Sequence, residues 1–249
     1  MRYTYRYIYP LYFPYMPKQY IIDSPKQRSI LNRVNPIIIK TYEIKYKDKY
    51  IREDLKYPQL EGLESQQSQG FINNSIKSDI MEFKRQMEKA AKEYAKEAER
   101  NGEDFTPFII SSIYEITYNN HNIISILIIY HEYINRINSY IKVSYNFNIL
   151  TGEPISLKDL FKEDVDYQNL INNEVKNELL FNREKYFPGA AESFKGISEY
   201  HPFYIKNGNL VVFFGFHEIA PIASQIPEIK IPFSSLRNYI KPKFLNSRF

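Results

Sequence analysis

The stretch SQQSQGFINNSIKSDIMEFKRQMEKAAKEYAKEAER, residues 65–100, predicts one long amphipathic helix. Its apolar side chains recur every three or four residues, which places them on a single helical face. Asn101-Gly102 follows as a stop signal. A helix this long with one apolar stripe is predicted to lie across a sheet. The stripe consists of Ile72, Ile76, Ile80, Phe83, Met87, Ala90, Tyr94 and Ala98.

Strand-like segments rich in Ile and Tyr surround the helix. Because they follow one another with short turns, they predict an α+β fold, in which an antiparallel sheet is packed on one face by the long helix and shorter helices. Strict alternation fails in Ile126–Tyr130, so that strand is expected to be covered on both faces. The predicted strands are Ile37–Tyr46, Lys49–Tyr57, Phe108–Thr117, Ile123–Glu132 and Ser139–Asn148.

The C-terminal third predicts helices followed by a hairpin. A helix over Tyr167–Asn182 is expected to turn Leu170, Val175, Leu179 and Leu180 inward. Asn207-Gly208 predicts a tight hairpin turn, because both positions tolerate positive φ. The remaining elements are a short helix from Ser156, the hairpin strands Pro202–Lys206 and Leu210–Phe214, a last strand Glu228–Pro232 and a helix at Ser234–Ile240.

Residues 1–35 form a Tyr- and Pro-rich arm, and residues 36–249 form the predicted domain. The prolines disrupt helix and central strand, so the arm is interpreted either as a surface-draped segment or as an aromatic segment for self-association. Residues 1–57 contain 12 basic and 5 acidic side chains, and the remainder is slightly acidic. No dense Lys/Arg run accompanies this charge, so nucleic-acid binding is not predicted.

Composition limits the chemistry and the segments that this chain can supply. The absence of Cys excludes disulfides, thiolate metal sites and Cys nucleophiles. No stretch reaches the roughly 20 apolar residues of a transmembrane helix. The N-terminus lacks the continuous apolar core and the small-residue cleavage site of a signal peptide. No export route is therefore expected from the sequence as it stands.

Catalytic motifs are not recognisable. The four histidines, His121, His131, His201 and His217, show no metal-binding spacing, and no phosphate-binding glycine loop occurs. The remaining candidates are the pairs His131-Glu132 and His217-Glu218, but neighbours on a strand point to opposite faces. A cross-strand combination of His131 with Glu218 stays open as an acid/base pair. Glu218 is otherwise expected to hydrogen-bond the backbone of the following loop. The sequence predicts no enzyme, no cofactor and no metal.

Three motifs carry a resemblance to a known family. They are, in chain order, Tyr57–Leu63; Ser139-Tyr140 to Tyr145-Asn146 with Thr151-Gly152 and Ser156–Phe161; and Phe203–Ile205, Gly208–Phe213, Glu218–Pro221 and Ile231-Pro232. With these motifs the chain resembles the extracytoplasmic, lysozyme-sensing domain of anti-sigma-V factors (RsiV-like), which also precedes the catalytic part of the peptidoglycan deacetylase PdaC.

The resemblance implies a function and a set of contacts. In anti-sigma-V factors the domain binds lysozyme, which would place contacts near Ser139-Tyr140 and in the loop after Ala220-Pro221. Where the family has glycines and a Tyr in that loop, this chain has residues 222–225, IASQ. The candidate ligand-binding residues are Ser139, Tyr140, Tyr145, Glu218, Pro221, Ile222, Ala223 and Ser224.

The leading hypothesis is a non-enzymatic recognition domain for a lysozyme-like protein or a cell-wall glycan. One alternative is a structural surface or spore-layer protein that assembles through residues 1–35. Another is a cell-wall hydrolase or deacetylase.

Overall fold

Two sheets and one long helix organise the chain. A computed structural model describes residues 37–215, 217–221 and 226–244; the arm predicted over residues 1–35 lies outside these ranges. The strands are β1 Ile38–Lys47, β2 Ile51–Glu61, β3 Phe108–Asn120, β4 Ile123–Ile134, β5 Ile137–Asn148, β6 Phe203–Lys206, β7 Asn209–Phe213 and β8 Glu228–Pro232. The helices are α1 Gln66–Asn101, α2 Leu157–Leu160, α3 Tyr167–Phe181, α4 Ala190–Ser193 and α5 Phe233–Leu236.

Helix α1 confirms the predicted amphipathic helix. The side chain of Ser65 caps its first turn by accepting from the N–H of Ser68, and Gly102 ends it in the left-handed conformation. The buried stripe matches the predicted one except at two positions: Ala91 takes the fully buried position expected for Ala90, and Tyr94 is only half-buried. None of the described helices is long and apolar enough to cross a membrane.

The first sheet has five strands in the order β1-β2-β3-β4-β5. The α+β class is confirmed, but this sheet is mixed, since β2 and β3 run parallel. The reason is the connection between them. A short turn would have reversed the chain, whereas crossover through α1 returns it to the same end of the sheet. Helix α1 packs on one face of the sheet, burying Ile51, Leu55, Ile126 and Ile128.

A second sheet, ordered β6-β7-β8, covers part of the opposite face. Leu127 on β4 packs there against Tyr204, Val211 and Phe213. The expectation that β4 is covered on both faces is therefore confirmed. Helix α3 packs into the core formed with the second sheet, but its buried side chains are Tyr167, Ile171, Val175 and Leu179. Leu180, predicted to face inward, is exposed, because it directly follows the buried Leu179 and one residue is a rotation of about 100° around the helix axis.

A buried polar cluster joins the two sheets. The hydroxyl of Ser125 on β4 donates to Oδ1 of Asn146 on β5 at 2.6 Å and accepts from the N–H of Ile205 on β6 at 3.1 Å. Nδ2 of Asn146 donates to the carbonyl of Phe203 at 2.8 Å. Ser125 is fully buried and Asn146 nearly so. The buried side-chain atoms of Ser125 and Asn146 thus have hydrogen-bond partners, and these bonds fix the position of the second sheet on the first.

Ser125→Ala tests this cluster. It leaves the Ile205 N–H without its acceptor, and a buried unsatisfied group costs about 1–3 kcal/mol. We expect the free energy of unfolding, measured by urea denaturation, to fall by that amount. Ser144→Ala is the matched control: Ser144 is half-buried on β5, and no side-chain hydrogen bond to it occurs within the described ranges. Equal stability of both variants would contradict the assignment.

Candidate functional site

Two chain segments predicted to contact a ligand meet in the structure. The hydroxyl of Tyr140, near the start of β5, accepts a hydrogen bond from the backbone N–H of Ile226 at 2.7 Å. Ile226 lies two residues before β8, so this bond anchors the segment between β7 and β8 onto the five-stranded sheet. Burial raises the pKa of the Tyr140 hydroxyl, which stays protonated at neutral pH.

An ion pair provides a second anchor between β5 and β8. Nζ of Lys142 contacts Oε1 of Glu228, and the side chains are only 13% and 24% exposed. The hydroxyl of Tyr204 on β6 also hydrogen-bonds Glu228, and burial together with this carboxylate raises the pKa of Tyr204. At this degree of burial the pair is shielded from solvent, and removing one partner would leave the other charge poorly compensated.

The segment after β7 is a sharp turn and not a strand. His217 has a positive φ of 62°, and its ring lies edge-on to Phe187 at 4.8 Å. Oε2 of Glu218 accepts from the N–H of Gly215 at 2.5 Å. Glu218 was expected to bond the backbone of the following loop, so this expectation is corrected: the carboxylate closes the turn that precedes it. The carbonyl of Ile219 accepts from the N–H of Phe187 at 3.1 Å.

Ser139 and its neighbours divide between the two faces of the sheet. The Ser139 hydroxyl donates to Oε2 of Glu132 at 3.1 Å. Glu132 is buried, and burial raises its pKa. His131 lies on the opposite face, exposed, with its ring 6.0 Å from that of Tyr140. Consecutive residues of β4 therefore diverge as predicted. No hydrogen bond or ion pair joins His131 to Glu218 in the described part of the chain.

The remaining candidate residues fall elsewhere. Tyr145 is 1% exposed, and its hydroxyl donates to Oδ2 of Asp79 on α1 at 2.9 Å. Its ring is a core side chain beneath α1, so the contact expected from it has no accessible surface. Pro221 is half-buried. Ile222, Ala223 and Ser224 lie outside the described residues. Within those residues, no group of three or more His, Asp or Glu side chains is placed to hold a metal ion.

His201 lies two residues before β6, and its Nε2 atom is buried. Its ring packs 4.8 Å from that of Phe214, and none of the described residues hydrogen-bonds its Nε2. Burial lowers the pKa of His201 to about 4, against a small opposing effect from a hydrogen bond with the Phe213 backbone. The imidazole is therefore neutral at physiological pH and contributes to packing.

Two family models match separate parts of the chain. Residues 44–134 match the model described as deacetylase PdaC, and residues 158–234 match the model described as a protein of unknown function, DUF3298. The first region runs from β1 to the end of β4, and the second from α2 to α5. PdaC and DUF3298 domains are thus present, in agreement with the PdaC part of the resemblance. Recognition of lysozyme stays a prediction.

Solved structures show where this fold recurs. A DUF3298 family member from Bacteroides fragilis has a TM-score of 0.65 at 14% identity, covering 86% of this chain and 97% of that chain. A DUF3298 family protein from Pseudomonas aeruginosa PAO1 has a TM-score of 0.56 at 14% identity, with the same coverages. At this identity the likeness concerns the fold alone. No curated protein matches the chain.

Tyr140→Phe tests the first anchor. It removes the acceptor of the Ile226 N–H while keeping the ring. Because a lost hydrogen bond of about 1.4 kcal/mol changes a local opening equilibrium tenfold, we expect amide exchange at Ile226 to accelerate about tenfold. The measurement is hydrogen–deuterium exchange. Tyr133→Phe is the control, because Tyr133 lies on the neighbouring strand β4 and on the same face of the sheet as Tyr140. Comparable acceleration in both variants would count against the anchor.

The buried imidazole predicts a pH dependence of stability. Because the pKa of His201 is lower in the folded chain than the ordinary value of 6.5, the unfolded chain binds more protons between these values. Stability from this group is present above about pH 6.5 and is lost as pH falls towards 4. Between about pH 7 and pH 5 the loss is about 2 kcal/mol.

His201→Phe should remove this component, so that urea denaturation at the two pH values shows a smaller decrease than in the wild type. His131→Gln, at an exposed position, should keep the wild-type decrease. An unchanged pH dependence in His201→Phe would show that another group is responsible.

Proposed function

We propose that the chain is a non-enzymatic recognition domain that binds a cell-envelope ligand at one corner of the fold. This recognition corner consists of Tyr140 on β5 and Glu218 and Pro221 between β7 and β8. The observation that carries the proposal is the 2.7 Å bond between the Tyr140 hydroxyl and the Ile226 N–H. It brings together two segments, some 80 residues apart, that the resemblance implicates independently.

Several contacts within the chain hold the recognition corner in place without a ligand. Glu218 closes the turn at Gly215, Pro221 restricts the backbone, and the Lys142–Glu228 pair fixes the start of β8. A recognition loop whose ends are already fixed loses less conformational entropy on binding. The exposed His131 and the half-buried Tyr140 add aromatic surface beside it. These features favour docking of a rigid protein or glycan surface.

The family matches support an envelope role. The PdaC and DUF3298 domains point to a cell-envelope-related domain. A lysozyme-like protein and a wall glycan are the two ligand classes that the proposal includes. Catalysis is less well supported by the geometry, since the Glu218 carboxylate accepts from the Gly215 N–H and no hydrogen bond or ion pair joins it to His131 within the described residues.

Titration with lysozyme and with soluble peptidoglycan fragments tests the proposal, with binding to at least one expected. Pro221→Gly should weaken that binding about two- to fivefold, because a more flexible loop must be ordered at a cost of about 0.4–1 kcal/mol. Pro107→Gly, in the exposed loop before β3, is the matched control and should bind as the wild type does. The proposal is excluded if neither ligand binds.

A further inference from the structure

Strand β1 forms an open edge of the five-stranded sheet. It is the outermost strand, and among the described residues it pairs only with β2. Eight of its ten residues are exposed, and its register with β2 has no bulge. The edge at β5 differs, because near its end the N–H of Ile155 donates to the carbonyl of Asn146 and Phe147 pairs with Pro154. A long exposed edge such as β1 is a template for a further strand.

The bonds of β2 show which backbone groups β1 presents at this edge. The N–H of Lys56 donates to the Ser112 hydroxyl on β3, and that hydroxyl donates to the carbonyl of Lys56, both at 2.9 Å. Lys56 therefore directs its backbone groups away from β1, and Glu43, which lies opposite it, directs its own away from β2. Since these directions alternate along a strand, the groups at the free edge belong to residues 39, 41, 43, 45 and 47.

The side chains of β1 form two different surfaces. Tyr42, Ile44 and Tyr46 lie opposite residues of β2 that are buried towards α1, so they share that face. Tyr42 is nevertheless 47% exposed and Tyr46 44% exposed. Glu43 and Lys45 lie on the other face, largely exposed, and pair with each other at 2.9 Å along the strand. The edge therefore combines aromatic surface on one face with a cation and an anion on the other.

We propose that β1 pairs antiparallel with β1 of a second copy of the chain, which joins the two five-stranded sheets into one. The two-fold axis passes beside Ile44. Glu43 of each copy then lies opposite Lys45 of the other, and Tyr42 lies opposite Tyr46. Opposite charges and aromatic pairs directly across two strands are both stabilising. By symmetry each of these pairs occurs twice.

The position of the axis follows from hydrogen bonding and charge. An axis that passes between two residues would place free backbone groups opposite groups already bonded to β2, so the axis must pass beside one residue. An axis at Glu43 or at Lys45 brings that charge against its own copy. An axis at Tyr42 pairs Glu43 with Thr41 and no opposite charges. The axis at Ile44 pairs opposite charges and leaves no like charges directly opposite.

Lysines on an edge strand usually oppose such pairing. In this register the lysines of β1 meet favourable neighbours instead. Lys45 lies opposite Glu43, Lys40 lies opposite Asp48, and Lys47 lies opposite the uncharged Thr41. The strand is thus complementary to itself, which favours a second copy over an unrelated peptide. Because the same surface is used by both copies, the assembly closes as a dimer.

Dimerisation through β1 is independent of the proposed recognition function. Tyr140 of the recognition corner lies on β5, at the opposite end of the strand order. Pairing of the two β1 strands therefore leaves the corner of each copy accessible, and one dimer presents two corners. Two linked sites bind a multivalent surface with greater avidity than one site does.

Charge reversal tests the register. Sedimentation velocity of the full chain should show a concentration-dependent monomer–dimer equilibrium, weak for an interface of this size. Glu43→Lys creates two pairs of like charge in the dimer, and so does Lys45→Glu, so each variant alone should dimerise at least about tenfold more weakly. An equal mixture of the two variants should recover near wild-type affinity, because opposite charges then meet at every pair.

The matched controls reverse an exposed ion pair on α1, Lys89 and Glu93, whose charged atoms are 3.9 Å apart. Lys89→Glu and Glu93→Lys should each dimerise as the wild type does, alone and mixed. Circular dichroism of each variant verifies that it is folded. A loss of dimerisation in these controls equal to that in the β1 variants would show an effect of net charge and overturn the register.

Amide exchange measured by NMR locates the interface independently of charge. As the protein concentration passes through the dimerisation range, exchange should slow at the N–H groups that gain acceptors across the axis. The groups of Tyr42 and Ile44 already bond β2 and should keep their rates. The N–H groups expected to slow are those of residues 41, 43, 45 and 47.

Three outcomes would overturn the proposal. A chain that stays monomeric at every concentration excludes the dimer. A dimer that persists unchanged in Glu43→Lys and in Lys45→Glu places the interface elsewhere, residues 1–35 included. Growth beyond the dimer indicates head-to-tail pairing of β1 with β5, which does not close.

Discussion

The hydrogen bonds of Ser125 and Asn146 determine how the two sheets meet, and the position of the segment between β7 and β8 follows from them. Apolar surfaces would allow the small sheet to slide across the large one with little change in buried area. Directional bonds from Ser125 to Asn146, from Ile205 to Ser125 and from Asn146 to Phe203 permit a single arrangement. Because β6 is fixed, β7 and β8 are fixed with it, and so are the ends of the segment between them.

The contacts between the two sheets become more exposed with distance from Ser125. Near Ser125 the contact between the sheets is fully buried, whereas the Lys142–Glu228 pair is partly exposed. The Tyr140–Ile226 bond lies nearer the start of β5, and on β3 the same face of the large sheet is open at Ile109 and Ile113. The small sheet therefore leaves part of that face uncovered.

Local signals in the sequence predicted local structure well. The period of α1, the Gly102 stop and the Asn207-Gly208 turn all depend on residues close together in the chain, and the structure has them where they were expected; Asn207 and Gly208 both have positive φ. Failure of alternation in β4 correctly indicated two covered faces, because burial on both sides removes the need for polar positions.

Features that depend on distant partners were not predictable in the same way. The parallel β2–β3 pair results from the path of α1, which no local pattern encodes. Lys142 and Glu228 each read as an exposed charge on a half-buried strand, and only their meeting across the sheets makes them an anchor. Tyr145 was considered a contact because tyrosine suits both interfaces and cores, and its neighbour Asp79 on α1 decides for the core.

The charges at the β1–β2 hairpin show what strand register adds to amino-acid composition. Lys and Arg scattered through residues 45–52 indicate only a solvated strand pair. Once the strands pair, Lys47 lies opposite Arg52 and Lys45 lies opposite Asp54, so one pair of like charges stands beside one pair of opposite charges. The register of β1 and β2 decides which of these charges meet, and their composition does not contain that information.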